Sequence, residues 1–136
     1  MPKVFQAPTW SVDLPNGWTA ELQADYMQIR LPFPHAELRI TPYRDETGRM
    51  SAAEWIRVAE HFTAKRGRPV IPRNCGDFVG HETRFDAGSV WIRGWALLAG
   101  DEGLDVDYRC APADAGRYDT NVDAVLSTLR LRRPAT

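Results

Sequence analysis

The sequence predicts an α+β fold: a mainly antiparallel sheet of about six strands sandwiched between two or more helices. Three observations carry that expectation. Two segments repeat their apolar residues at helical spacing, several others alternate apolar and polar residues at strand spacing, and the last strands are joined by hairpin-length turns. Strands joined that way are antiparallel neighbours, and amphipathic helices need a sheet face to bury their stripes. At 136 residues the chain is long enough for one core and is expected to form a single domain over residues 1–136.

Taken in order, "TWSVDLPNGW" reads as a short strand ended by Pro15 and an Asn16-Gly17 turn, with Trp10 and Trp18 flanking it. "TAELQADYMQIRLP" contains a strand in which Tyr26, Gln28 and Arg30 alternate with Met27, Ile29 and Leu31. A Pro-rich connection, "LPFPHA", leads to "ELRITPY", a strand with Leu38 and Ile40 inward. "SAAEWIRVAEHFTAKRG" predicts a helix. Ser51 and Glu54 form a capping box, Ala52, Trp55, Ile56, Ala59 and Phe62 make the stripe, and Gly67 supplies the left-handed stop.

After a loop, "RPVIPRNCG", the segment "DFVGHETRFDAG" predicts a strand with Phe78, Gly80, Glu82 and Arg84 on one side. Val79, His81, Thr83 and Phe85 take the other. The final helix is expected over "NVDAVLSTLRL", capped by Asp119 or Thr120, with Val122, Val125, Leu126 and Leu129 as its stripe. The basic end "RLRRP" is expected to be solvated.

Between these elements "VWIRGWALLAGDEGLDVDYRC" reads as a hairpin. A three-residue loop over Asp101-Glu102-Gly103 would pair Gly100 with Leu104, Leu98 with Val106, Ala96 with Tyr108 and Gly94 with Cys110. That register sorts an apolar face from a mixed one carrying Trp91, Arg93 and Trp95 beside Asp105, Asp107 and Arg109. A two-residue loop would instead set Asp105 and Asp107 among apolar neighbours, at a desolvation cost. The mixed face is either a half-buried surface whose charges neutralise one another or a recognition surface, since Trp and Arg anchor many interfaces.

The formal net charge of -1 leaves no global field to attract nucleic acid or an anionic membrane. The N-terminus has no apolar signal-peptide core, which makes cytoplasmic the default expectation. Cys75 and Cys110 lack metal-ligand spacing and read as two reduced thiols, with Cys110 in the core. No catalytic residues, cofactor or metal are expected. His81-Glu82 resembles the start of a zinc-protease motif, but Phe stands at position 85, and on a strand the two side chains point to opposite faces. Arg93 and Arg109 would hold the Asp105 and Asp107 carboxyls down rather than raise one for acid catalysis. Cys75, beside Arg73, is the one candidate thiol nucleophile.

"SVDLPNGW", the helix carrying Trp55, "FVGHETRF", "WALLAGDEGLDVDYRC" and "VDAVLSTLRL", taken in this order, resemble the PsbP-like fold family. That family includes bacterial DcrB-type proteins, Ran-binding Mog proteins and adaptor-like proteins linked to type VI secretion. The resemblance implies an α/β/α sandwich and a non-enzymatic role in binding another protein, and it assigns no site residue. The expected function is a small bacterial, cytoplasmic protein-binding module: a secretion adaptor, chaperone or immunity-type partner. Its contact surface would be Trp91, Arg93, Trp95, Asp105, Asp107 and Arg109. The alternative is a small-molecule-binding domain or cryptic enzyme with a pocket between sheet and helix.

Overall fold

A computed structural model describes residues 3–44, 70–100 and 102–132. Among the described residues ten strands run in chain order: β1 (Lys3–Gln6), β2 (Trp10–Leu14), β3 (Thr19–Leu22), β4 (Met27–Arg30), β5 (Glu37–Arg44), β6 (Ile71–Cys75), β7 (Phe78–Asp86), β8 (Trp91–Ala99), β9 (Glu102–Cys110) and β10 (Arg130–Leu131). A 3₁₀ turn, Pro112–Asp114, and one helix, α1 (Asp119–Leu126), lie between β9 and β10. Seven strands form an antiparallel sheet in the order β3-β4-β5-β9-β8-β7-β6, and β1, β2 and β10 form a second one. The antiparallel α+β class stands, with more strands than expected and in two sheets. The predicted helix over 51–67 lies outside the described residues.

The core lies between one face of the large sheet and a layer made of α1 and the small sheet. Alternation puts Met27, Ile29, Leu38, Ile40, Leu104, Val106 and Tyr108 on that inner face, against Trp10, Val12 and Leu14 of β2 and Val122, Val125 and Leu126 of α1. Each such side chain taken fully from water contributes roughly 1.5–3 kcal/mol before chain entropy is subtracted. Trp10 and Trp18 are buried on either side of the Gly17 turn, where φ is 89°.

Three expectations are corrected at the ends of elements. "IPRNC" is a strand rather than part of a loop. Pro72 lacks an N–H for a ladder, but β6 is the edge of its sheet, where that is tolerated. "TAELQADYMQIR" is two strands folded back through Gln23 to Tyr26 rather than one. The last helix stops at Leu126, because the small sheet takes the residues after it. Arg130 and Leu131 pair with Ser11 and Trp10, and Thr128 Oγ1 accepts the Asp13 N–H at 2.9 Å. Tyr118 is the N-cap and makes no side-chain cap bond; the Asp119 carboxylate is engaged elsewhere.

The largest correction concerns the β8–β9 hairpin. Its register pairs Ala99 with Glu102, Leu97 with Leu104, Trp95 with Val106, Arg93 with Tyr108 and Trp91 with Cys110. Ala99 and Glu102 are thus direct partners rather than Gly100 and Leu104, and Gly100 takes the left-handed φ of 63° that a tight hairpin turn requires. An odd shift of register exchanges which face of β9 meets which face of β8. Large side chains decide the outcome. Trp95 and Leu97 offer far more apolar surface to the core than Gly94 and Ala96, so they turn inward beside Leu104 and Val106. Asp105 and Asp107 then lie opposite the small Ala96 and Gly94, where Asp105 stays exposed and Asp107 half-exposed.

Candidate functional site

The six residues expected to share one surface are divided between two. Trp91, Arg93 and Trp95 face the core, whereas Asp105, Asp107 and Arg109 lie on the outer face of the large sheet. The mixed surface expected from sequence does not exist as one face, and each half has its own chemistry.

On the inner face, Arg93 and Glu82 are both fully buried, at 0 % exposure. They sit on the adjacent strands β8 and β7 and form a two-pronged pair. Arg93 Nε donates to Glu82 Oε2 at 2.8 Å, and Nη2 donates to Oε1 at 3.1 Å. Arg73 Nε and Arg84 Nε reach the same carboxylate at 2.9 and 2.6 Å. From above, α1 adds Asp119 and Asp123, one helical turn apart. Asp119 accepts from Arg93 Nη1 at 3.2 Å and from Arg84 Nη1 at 2.8 Å, and Asp123 accepts from Arg93 Nη2 at 2.6 Å. Three guanidiniums thus face three carboxylates, and the Arg93 guanidinium also lies 4.6 Å from the Trp95 ring centroid.

Burial alone would raise the Glu82 pKa, but hydrogen bonds from Arg93, Arg73 and Arg84 outweigh it and hold it at about 2. Burial would lower that of Arg93, and the carboxylates of Glu82 and Asp123 reverse this, leaving it raised. This pair stays ionised across the ordinary pH range, so it docks α1 on the sheet rather than exchanging protons. Cys75 ends β6 on the same face. It is a buried, free thiol whose pKa burial pushes up to about 11, with Asp123 and Glu82 adding to the effect. That suppresses the thiolate expected of a nucleophile beside Arg73. Cys110 is likewise free and buried. His81 and Glu82 point to opposite faces, as strand geometry requires.

On the outer face, Asp105 and Asp107 lie two residues apart. Burial around the Asp105 carboxyl, and then the charge of Asp107, push its pKa up to about 6 although the residue is exposed. The Asp107 pKa is also raised by burial, against the pull of Arg109 and Arg39. The expectation that arginines would hold both carboxyls down fails because Arg93 is on the other side of the sheet. A folded-state pKa above the unfolded one means that the folded state binds the proton more tightly, so stability falls as pH rises from about 4 through about 6. Water contact screens the effect and keeps it small. Asp105→Asn is expected to raise the melting temperature at pH 7 and to leave it unchanged near pH 4. Equal shifts at both pH values would contradict the assignment.

At one end of the same sheet, β3 forms an edge. Gln23 N donates to Tyr26 O at 2.8 Å, which sets the phase of the β3–β4 ladder. By the alternation of an antiparallel pair, Thr19 and Glu21 direct their backbone groups at β4, whereas Ala20 and Leu22 direct theirs away from it. Among the described residues β3 has a neighbour on one side only, and Leu22 is 75 % exposed. A shallow depression of about 300 Å³ runs beside this edge, lined by Thr19, Ala20, Glu21, Gln28 and Arg30. It presents polar and apolar surface about equally and lies on the sheet, unlike the pocket between sheet and helix considered from sequence. Sequence reasoning missed this edge because it read a strand only from the alternation of Tyr26 to Leu31, which corresponds to β4, and none over Thr19 to Leu22.

No protein-family model matches the chain, and no curated protein does. Among solved structures it is similar to a Bacteroides thetaiotaomicron VPI-5482 protein, with a TM-score of 0.66 and 14% identity, covering 91% of this chain and 45% of that one. The chain thus spans under half the length of that protein. It is also similar to cyanobacterial PsbP (CyanoP) from Synechocystis sp. PCC 6803, with a TM-score of 0.64 and 12% identity over 96% of this chain and 92% of that one. These likenesses show a PsbP-like fold.

Proposed function

We propose that the chain is a non-enzymatic protein-binding module that takes an extended segment of its partner onto the edge of β3. One observation carries this reading: the backbone groups of Ala20 and Leu22 point off the sheet beside an exposed leucine. Open edges are normally blunted by Pro, Lys or brevity. Pro72 does this for β6, Lys3 stands on β1, and β10 has two residues, whereas β3 carries neither Pro nor Lys. Strand addition draws affinity from main-chain hydrogen bonds and specificity from alternate side chains, which is what the β3 edge and its flanking depression offer. A secretion adaptor, chaperone or immunity-type partner would use such an edge, and the two free thiols support a reducing, cytoplasmic setting.

A photoreactive benzophenone amino acid placed at position 22 is expected to give a discrete adduct with a second protein when irradiated in cells. The adduct should disappear when Ala20→Pro is added. The same probe at the exposed Arg117 is the control. Adducts at position 117 matching those at position 22, or none at position 22, would refute the reading.

A further inference from the structure

Resting on the reading of β3 as the docking edge, we infer that its occupant is an extended segment with a Lys or Arg between two apolar residues, and not a second copy of this chain. Two features of the edge specify this chemistry. Ala20 and Leu22 supply the outward backbone groups, so an added antiparallel strand makes its hydrogen-bonded pairs with these two residues. Glu21 between them then stands opposite one residue of the newcomer in a non-hydrogen-bonded pair. There the two Cα atoms come within roughly 4.5 Å and side-chain charge acts most directly.

Glu21 is the one charged residue of β3, and it projects onto the outer face with Thr19, Gln28 and Arg30. Arg30 is on β4, so it lies about two strand spacings, roughly 10 Å, from the incoming side chain. That is about a Debye length at ordinary ionic strength, and its repulsion is correspondingly screened. Gln28 is already committed, accepting from Gln23 Nε2 at 3.1 Å and donating to Glu37 Oε1 at 2.5 Å. The charge that an incoming residue meets first is therefore the Glu21 carboxylate. On the opposite face the newcomer's two flanking side chains lie beside Ala20, which packs on the core, and Leu22, which extends past it. Apolar residues there cover Leu22.

The same geometry counts against self-association. Two copies joined by their β3 edges with Ala20 and Leu22 exchanging hydrogen bonds would bring Glu21 directly against Glu21 of the other copy, a like-charge cross-strand pair. Glu21 thereby blunts self-pairing while leaving the edge open to a basic strand.

The test uses the intact, ¹⁵N-labelled chain and two end-capped pentapeptides, Thr-Val-Lys-Val-Thr and Thr-Val-Glu-Val-Thr. The lysine peptide should move the amide signals of Ala20 and Leu22 and bind about fivefold more tightly than the glutamate peptide. Glu21→Lys should invert the preference, and Ala20→Pro, which removes an outward N–H but no β4 hydrogen bond, should abolish both. Equal binding of the two peptides, lost in Ala20→Pro, would overturn the basic preference and leave the edge assignment standing. No movement at Ala20 and Leu22 with either peptide would overturn both, and this readout needs no variant to fold. Sedimentation showing a dimer that Ala20→Pro dissociates would make a second copy the occupant and overturn the inference.

Discussion

Glu82→Ala is expected to destabilise the fold by about 3–5 kcal/mol, the cost of leaving a buried charge without its partner. The charge is Arg93, fully buried and bonded to Glu82 through two nitrogens. Asp119 and Asp123 would remain, but both reach it from the margin of the α1 face that packs on the sheet, with side chains 23% and 54% exposed. For a domain of this size the loss corresponds to a fall of the order of 10–20 °C in melting temperature. Asp123→Ala should cost far less, about 1 kcal/mol, because water can replace a half-exposed carboxylate. Replacing Arg93 and Glu82 together by Met and Leu should recover most of the loss, since a buried ion pair exchanged for apolar groups of similar volume is often neutral. A double-mutant cycle measured by urea denaturation reads the coupling directly. Additive losses would show that the pair is not linked as described.

The same carboxylate sets an acid limit. Its folded-state pKa of about 2 lies below the usual 4.5, so its contribution is complete above about pH 4.5 and is lost as pH falls toward 2. That window is distinct from the Asp105 window between about pH 4 and 6, where the sign is opposite. The glutamate variant should therefore unfold over a range of pH less steep at its acid end than the wild-type chain.

Local pattern carried the strands whose two faces differ clearly. In β7 the alternation of Phe78, Gly80, Glu82 and Arg84 against Val79, His81, Thr83 and Phe85 matches the structure. It failed where both faces mix charge with apolar bulk. In β8 and β9, avoiding the desolvation cost of setting Asp105 and Asp107 among apolar neighbours places Trp91, Arg93 and Trp95 outward, whereas the structure buries Arg93, which carries a desolvation cost of its own. Here the cost is offset by Glu82 of β7 and by Asp119 and Asp123 of α1, and no single-strand pattern shows partners at that distance. A signal did exist. Asp119 and Asp123 are spaced like Val122 and Leu126, so two acids border the helix stripe facing the sheet. A helix whose buried face is edged by acids needs cations beneath it, and Arg93 between two tryptophans is such a cation. The candidate docking edge was less legible, because exposure of β3 depends on which strands end up beside it.

The seam between the two sheets gives the second large expected loss, from Gly76→Ala. Gly76 turns the chain from β6 to β7 with φ of 61°, a left-handed conformation costing roughly 1–2 kcal/mol for a residue with a Cβ. That Cβ would also fall 1.9 Å from the Leu129 carbonyl oxygen and 2.6 Å from Arg130 Nη1. The arginine head can swing away, but the carbonyl is backbone. It accepts the Asp77 N–H at 2.9 Å, and two residues later the Leu131 N–H donates to Asp77 Oδ2 at 2.9 Å. Moving it pulls Leu131 from its pairing with Trp10, so overpacking adds about 1–3 kcal/mol. The total, about 3 kcal/mol, lowers the melting temperature by about 10 °C. Gly88→Ala separates the two causes: its φ is 91°, yet an added Cβ there meets nothing within 4 Å. Gly76→Ala should exceed it by the overpacking share, and near-ultraviolet circular dichroism should report the displaced Trp10 only in the former. Equal losses from the two substitutions would mean that the turn and the α1–β10 segment are not packed as tightly as the geometry requires.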